Sequence, residues 1–378
     1  MDFSYSPEQI ALQDTLQRFI DRDYVFDRRR ELAGSALGYS AAAWTLYADL
    51  GLLSLPFQEE FGGLGGNAID IMLVMQLIGR GLLLEPYLST IVICGGLIQD
   101  AASEAVKRAL LRRIGAGEIK LALAGYEGSG RYDLSRVDCS ATRSAGGWRL
   151  SGRKTVVLDA PSADYFLVSA RTGGEADEAQ GISLFLVERG SVGLTLFSYP
   201  TQSGGRAADV CLEEVTVGAD ALIGADGEGL AIIERAVDKG IAALCAEAVG
   251  IIAALNEATL NYLKTRKQFG VPIGKFQALQ HRMADMLIAA EQARSMAVIA
   301  AVHADSENPA ERRRAVSGAK AYIGQAARLV GQQAVQLHGA MGVVDEVIVS
   351  HYFKRLTMID LSLGNVDFHL ARFSDTLR

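Results

Sequence analysis

Thr265-Arg266-Lys267-Gln268-Phe269-Gly270-Val271-Pro272-Ile273-Gly274-Lys275-Phe276-Gln277 breaks an otherwise alanine-rich, helical half of the chain. Arg266 stays charged at any working pH, and its planar fork of donors suits a phosphate or pyrophosphate. Phe269 can lie against a flat heterocycle, and Gln268 and Gln277 can pair with its edges. Gly270, Pro272 and Gly274 interrupt the helix and let the backbone approach a ligand. Such a cluster suits a large anionic cofactor with an aromatic head. The same residues also fit a helix-turn-helix corner with a solvated arginine, so the rest of the chain has to decide.

Outward from this stretch, residues 230–264, 276–304 and 310–337 carry few breakers, as close-packed bundle helices do. Between about Ile119 and Leu222 the pattern changes to short β-branched or aromatic runs at 148–152, 165–170, 182–187 and 209–215, separated by turn residues. The polar insert Thr172 to Gln180 reads as a surface loop without chemistry. The N-terminal part is helical again. Ser6-Pro7-Glu8-Gln9 is a capping box, followed by Ile10, Leu12, Leu16 and Ile20 at helical spacing. Further helices are expected near 41–50, 68–79 and 101–115. The expectation is an α+β multidomain chain: an all-α domain over 1–118, a β domain over 119–226 and a helical bundle over 227–378.

Composition narrows the function. The 378 residues are 49% hydrophobic, enough for a substantial core, and the net charge of −7 leaves no concentrated basic face for nucleic acid. Cys94, Cys139, Cys211 and Cys245 are scattered, without CxxC or Cys/His spacing, so no metal is expected and the thiols read as reduced. The first residues do not form a basic then apolar leader, and no uncharged apolar run has the length of a membrane span. A soluble, cytoplasmic protein is expected, with no membrane partner.

The order of several further motifs is specific. Gly51-Leu52-Leu53 precedes Glu60-Phe61-Gly62-Gly63-Leu64-Gly65; Leu150-Ser151-Gly152-Arg153-Lys154 precedes Ala163-Asp164-Tyr165; the 265–277 stretch precedes Met283-Ala284-Asp285-Met286 and Gln336-Leu337-His338-Gly339-Ala340-Met341-Gly342. Over its whole length the chain resembles an acyl-CoA dehydrogenase. The resemblance implies an N-terminal helical domain, a middle β-barrel-like domain, a C-terminal four-helix bundle, and an FAD shared between two subunits. It also implies an acyl-CoA substrate and reoxidation by an electron-transfer flavoprotein. Arg266 then matches the pyrophosphate contact and Phe269 and Gln277 match contacts on the adenosine side, with Gln268 beside them. Gln336 with Gly339 matches a second pyrophosphate-side loop, where Ala340 replaces the usual second glycine.

The half of the family's site that holds the flavin ring is altered. The family usually reads Thr-Glu-Pro-x-Ala-Gly-Ser-Asp where this chain has Tyr126-Glu127-Gly128-Ser129-Gly130-Arg131-Tyr132-Asp133, and Val156 and Leu158 stand where a Trp and a Ser or Thr face the flavin. Removal of an acyl α-proton needs a base held close to the carbon. The two positions the family uses for its Glu align with Leu363 and Gly240. Glu247 lies two helical turns from Gly240, with either a catalytic role or a buried tie between helices as its reading; Asp360, Asp367 and His338 read as structural. Intact lending residues beside an altered receiving half resemble the small subunits of two-component enzymes, such as those acting on pimeloyl-CoA or steroid side chains. The expected assembly is an α2β2 tetramer with a second acyl-CoA dehydrogenase-like subunit supplying the base. Two other readings stay open: a homotetramer with a relocated base such as Glu247, and a flavin-free structural subunit.

Overall fold

In the computed structural model, which describes residues 5–377, the Ser6 capping box forms: Gln9 N donates to Ser6 Oγ at 3.2 Å and Ser6 N to Gln9 Oε1 at 2.9 Å. Residues 1–4 and 378, the outermost positions of the expected 1–118 and 227–378 domains, lie outside the described residues. The box opens α1 (Pro7–Asp23), in which Leu16 and Ile20 are buried while Ile10 is exposed. The helices α2 (Phe26–Gly34), α3 (Ala41–Asp49) and α4 (Ala68–Gly81) follow; a π-helical stretch, Leu88–Gly95, then runs into α5 (Gly96–Ala101) and α6 (Glu104–Gly115). Next come β1 (Leu121–Ala124), β2 (Ser140–Ser144), β3 (Gly147–Leu158), β4 (Tyr165–Arg171), β5 (Ile182–Glu188), β6 (Leu194–Pro200), β7 (Arg206–Gly218) and β8 (Leu222–Ile223). The chain closes with α7 (Gly229–Thr265), β9 (Lys267–Gln268), β10 (Val271–Pro272), α8 (Gln277–Ala304), α9 (Pro309–His338), α10 (Ile348–Leu361) and α11 (Val366–Asp375).

Two compact units interleave along the sequence. One comprises Leu32–Asn67 and Leu84–Gly240 and is built on an eight-stranded sheet in the order β6-β7-β3-β2-β4-β5-β8, with β1 pairing parallel to β4. Apolar and β-branched runs explain the strands: β4 and β5 are buried on both faces, at Phe166, Leu167 and Val168 and at Leu184 and Phe185, while β7 alternates, with Val210 and Leu212 buried. The long β3–β7 pairing slips twice, at 150–152 and 154–157, so β3 is bulged near its C-terminal end.

The other unit takes residues up to Glu31, Ala68–Leu83, and the chain from Ile241 on. Its core is α7, α8 and α9 with α4, α10 and α11. Small residues set the helix spacing: a Cβ on Gly250 of α7 would lie 1.8 Å from the Gln76 carbonyl of α4, and one on Gly79 would lie 2.1 Å from that of Glu247. α7 is long and apolar enough to cross a bilayer by length and composition, but 78% of its apolar window is buried, as in a core helix. On α8 the buried positions are Met286, Ala289, Ala293, Ala297, Ala300, Ala301 and Ala304, whereas Leu287, Ile288, Ile299 and Val302 on the outer side are exposed.

Candidate functional site

The 265–277 stretch is a β-hairpin, tighter than the simple helix interruption expected from its glycines. Val271 pairs with Gln268 and Pro272 with Lys267, and the two-residue turn places both Phe269 (φ 53°) and Gly270 (φ 80°) in the left-handed region. Consecutive positive φ values give the turn that matches the twist of a hairpin, and glycine tolerates them freely. A phenylalanine there costs about 1 kcal/mol. Phe269 is also 89% exposed, touching the Phe276 ring edge-on at 6.0 Å. The base of the hairpin is fixed by Arg266 N donating to Tyr262 O at 2.8 Å and Ile273 N to Arg266 O at 2.9 Å. The side chains of Arg266, Gln268 and Gln277 are exposed.

Gln336 and Gly339 sit at the end of α9, both exposed, and Gly339 (φ 60°, ψ −138°) adopts a backbone state that disfavours side chains. A joint that the spacing did not reveal links this end to the hairpin. Tyr262, one turn before Arg266, stacks on His338 with centroids 4.4 Å apart and an interplanar angle of 26°, and its hydroxyl donates to His338 O at 3.4 Å. Arg282 of α8, the helix that follows the hairpin, donates to Gln333 of α9 at 2.9 Å, a second tie onto α9. Burial holds the His338 imidazole below its ordinary pKa, and its Nδ1–H donates to Ala334 O at 2.8 Å. His338 is thus part of the scaffold.

In the sheet unit, the two altered segments form one wall. Thr155 N donates to Tyr126 O at 2.9 Å, and the buried Lys154 ammonium donates to Glu127 Oε1 at 2.6 Å and Ser169 Oγ at 2.8 Å. Glu127 also accepts from Asp138 N (2.8 Å) and Cys139 N (3.1 Å), so every oxygen of this buried carboxylate is used. Beside it Val156 has φ 52° and is 57% exposed, a β-branched residue in a region where such residues are strained. Its N–H donates to Asp209 at 3.2 Å. Burial works against the Asp209 carboxylate, but hydrogen bonds from Arg153, Val156 N and Tyr199 prevail and hold its pKa below the ordinary value. Arg131 (φ 52°) lies 5.1 Å over the Tyr132 ring.

Neither aligned base position offers an acid. Gly240 is buried within α7, and Leu363 (φ 55°) occupies the turn between α10 and α11. That turn is held from two sides. Lys320 of α9, fully buried, donates to Asp360 O at 3.0 Å and Gly364 O at 2.6 Å, and His369 Nε2–H donates to Leu363 O at 3.0 Å. Glu247 is 3% exposed and both its oxygens are taken by Arg355 of α10, at 2.5 and 2.7 Å, so the acid proposed as a relocated base is a helix tie. Asp360 meets Arg328 at 3.3 Å, and Asp367 is an exposed first-turn residue of α11 capped by Asn365.

Family models match almost the whole chain: the acyl-CoA dehydrogenase N-terminal domain over 6–118, the middle domain over 122–215 and the C-terminal domain over 227–376. The chain belongs to the acyl-CoA dehydrogenase family. This acyl-CoA dehydrogenase is 28% identical over 369 residues to the probable acyl-CoA dehydrogenase YngJ of Bacillus subtilis, covering 96% of each chain. Among solved structures it is similar to the Tcur3481-Tcur3483 steroid ACAD (TM-score 0.87, 28% identity, 98% of this chain and 97% of that one). It is also similar to the ChsE4-ChsE5 complex of Mycobacterium tuberculosis (TM-score 0.88, 25% identity, 100% and 99%).

The acyl-CoA dehydrogenase is an FAD-dependent oxidoreductase acting on an acyl-CoA. The hairpin fits such a cofactor: an exposed guanidinium, an exposed and strained ring, and two amides stand on a rigid support. The wall of the sheet unit fits it less well, because Val156 and Leu158 offer the flavin ring neither an aromatic face nor a hydroxyl. What the motifs missed, Tyr262, Lys320 and Arg355, are ordinary residue types whose partners lie far away in sequence.

Proposed function

We propose that this chain is the base-deficient subunit of a heteromeric acyl-CoA dehydrogenase, lending the pyrophosphate and adenosine half of an FAD site completed by a second, homologous subunit. The observation that carries the reading is the contrast within one chain: the 265–277 residues face outward, whereas both base positions lack a carboxylate and Glu247, the buried acid two turns from Gly240 on α7, is committed to Arg355. Two solved relatives described above are named as two-component proteins, which favours the same arrangement here.

When bound, FAD accepts the hydride that leaves the acyl β-carbon. Arg266, with Gln336 and the Gly339 backbone, would hold the pyrophosphate through N–H donors. Phe269 would offer its ring to the adenosine, and Gln268 and Gln277 would pair with its polar groups. The Tyr262–His338 stack keeps the two groups of contacts in register. The partner supplies the carboxylate for the α-proton, and an electron-transfer flavoprotein reoxidises the assembly. The homotetramer with Glu247 as base is disfavoured, since this carboxylate is buried and both its oxygens accept from Arg355, which favours its charged, paired form over proton transfer.

Purification of the chain alone and with its partner subunit, followed by flavin absorbance and acyl-CoA titration, tests the proposal. Colour and acyl-CoA-dependent bleaching only in the pair are expected. A yellow, active chain on its own overturns the heteromer, and a colourless pair leaves a purely structural subunit. In the pair, Arg266→Ala is expected to lower flavin content while leaving the chain's unfolding free energy within about 0.5 kcal/mol, as for other exposed substitutions.

A further inference from the structure

Arg171 ends β4, and among the described residues its guanidinium bonds only main-chain carbonyls. Nε donates to Val137 O at 3.1 Å and Nη2 to Ser135 O at 2.9 Å, both in the segment that follows Glu127. Nη2 also reaches Ala176 O (3.1 Å) and Glu178 O (3.0 Å), while Nη1 reaches Gln180 O (2.9 Å) and Gly173 O (3.4 Å). A guanidinium has five N–H groups, so six acceptors require sharing, and the whole donor set is spent on two loops.

The insert that reads from sequence as an idle surface loop is therefore wrapped around one cation. Its neck is closed by Thr172 N donating to Gly181 O at 2.8 Å, and Gly181 (φ 83°) cannot be replaced there, since a Cβ would lie 1.9 Å from Gly173 O. One rung joins the loops directly: Val137 N donates to Ala176 O at 3.0 Å. At its other end the 126–139 segment is pinned by Glu127, which accepts from Asp138 N and Cys139 N. Ser129 Oγ donates to Asp138 at 2.6 Å and Ser135 N to Asp133 at 2.9 Å. Arg131 and Tyr132 stand between the two anchors.

We propose that residues 172–181 are a strap that, gathered by Arg171, fixes the 126–139 segment, making Arg171 a positioning residue for the wall of the ligand site. The functional meaning rests on reading 126–133 as that wall; the strap itself does not. A point charge on a flexible stem could not replace Arg171, because the carbonyls surround a plane.

Backbone amide exchange on the intact chain tests this. In Arg171→Ala, residues 128–138 and 172–181 are expected to exchange about tenfold faster or more, with β6 and β7 unchanged. Guanidinium ion at a few tens of millimolar, far below denaturing levels, is expected to restore protection in both loops. Unchanged protection of 128–138, or no recovery with guanidinium, overturns the proposal. Should Arg171→Ala fail to fold, a second variant decides: replacing 174–179 by a short glycine turn, with Arg171 kept, is expected to loosen 133–138, and full protection there sinks the strap. Flavin content is not read, so a failure of the two-subunit reading would leave this result intact.

Discussion

At Phe269 two unfavourable features coincide that the isolated chain has no use for: a left-handed backbone and an almost fully exposed ring. Asparagine tolerates that backbone better. Phe269→Asn is therefore expected to stabilise the chain by about 0.5–1 kcal/mol in denaturant titration while weakening flavin retention in the assembled enzyme. A variant that lost stability would show that the ring packs on its own subunit. Glu247 behaves in the opposite sense. Removing its charge breaks a bidentate pair whose carboxylate is buried and whose Arg355 end is 26% exposed, so Glu247→Gln is expected to cost about 1–3 kcal/mol of stability. Turnover per bound flavin should be unchanged, and a collapse of turnover at full stability would restore Glu247 as a base. Sequence spacing placed Glu247 on the Gly240 face of α7, but only the fold brings Arg355, 108 residues away, against it.

The turn between α10 and α11 has a pH signature at the level of elements. Burial pushes the Lys320 ammonium down to about 8, with Cys245 and Asp360 opposing the shift, while the unfolded chain keeps the ordinary lysine value of about 10.5. Between these values the unfolded state binds more protons, so stability rises with pH across the window, by an amount on the order of 3 kcal/mol. Lys320→Met should flatten that rise, as measured by chemical denaturation at pH 7.5 to 10 (about the span of the two pKa values). Burial together with the Lys320 charge also lowers His369, to about 3. As pH falls from 6.5 (the unfolded value) toward 3, the unfolded chain takes up a proton first and stability is lost. The elements themselves were partly legible: capping at Ser6, helical spacing and β-branched runs are local signals, and they gave α1, the bundle helices and β3, β4, β5 and β7, whereas β1, β2, β6 and β8 carried no such run. The hairpin was not, because a two-residue turn occupied by Phe-Gly lacks the usual asparagine or aspartate signal.

For the whole molecule, α8 is where the proposed assembly can be tested. Its inward positions are mostly alanine, yet Leu287, Ile288, Ile299 and Val302 face outward from the same helix that begins at Gln277. A helix apolar on both sides is usually covered on both. The double change Leu287→Glu and Ile288→Glu is expected to leave the chain folded by circular dichroism but to lower the sedimenting mass of the complex and its flavin content together. Retained mass with full flavin would place the subunit contact elsewhere.

The sequence by itself determined the family and the order of helical and β regions, because these depend on residue type and short spacing; it also supplied the residues proposed as the clamp. It also showed that Leu363 and Gly240 cannot act as bases, since neither side chain holds a proton-accepting group. Tertiary structure alone decided that Glu247 is spent on Arg355, that Lys320 and His369 hold the 360–364 turn, and that Arg171 gathers two loops. The reason is physical: a buried polar group must find a partner, and which partner it finds is set by how distant segments pack.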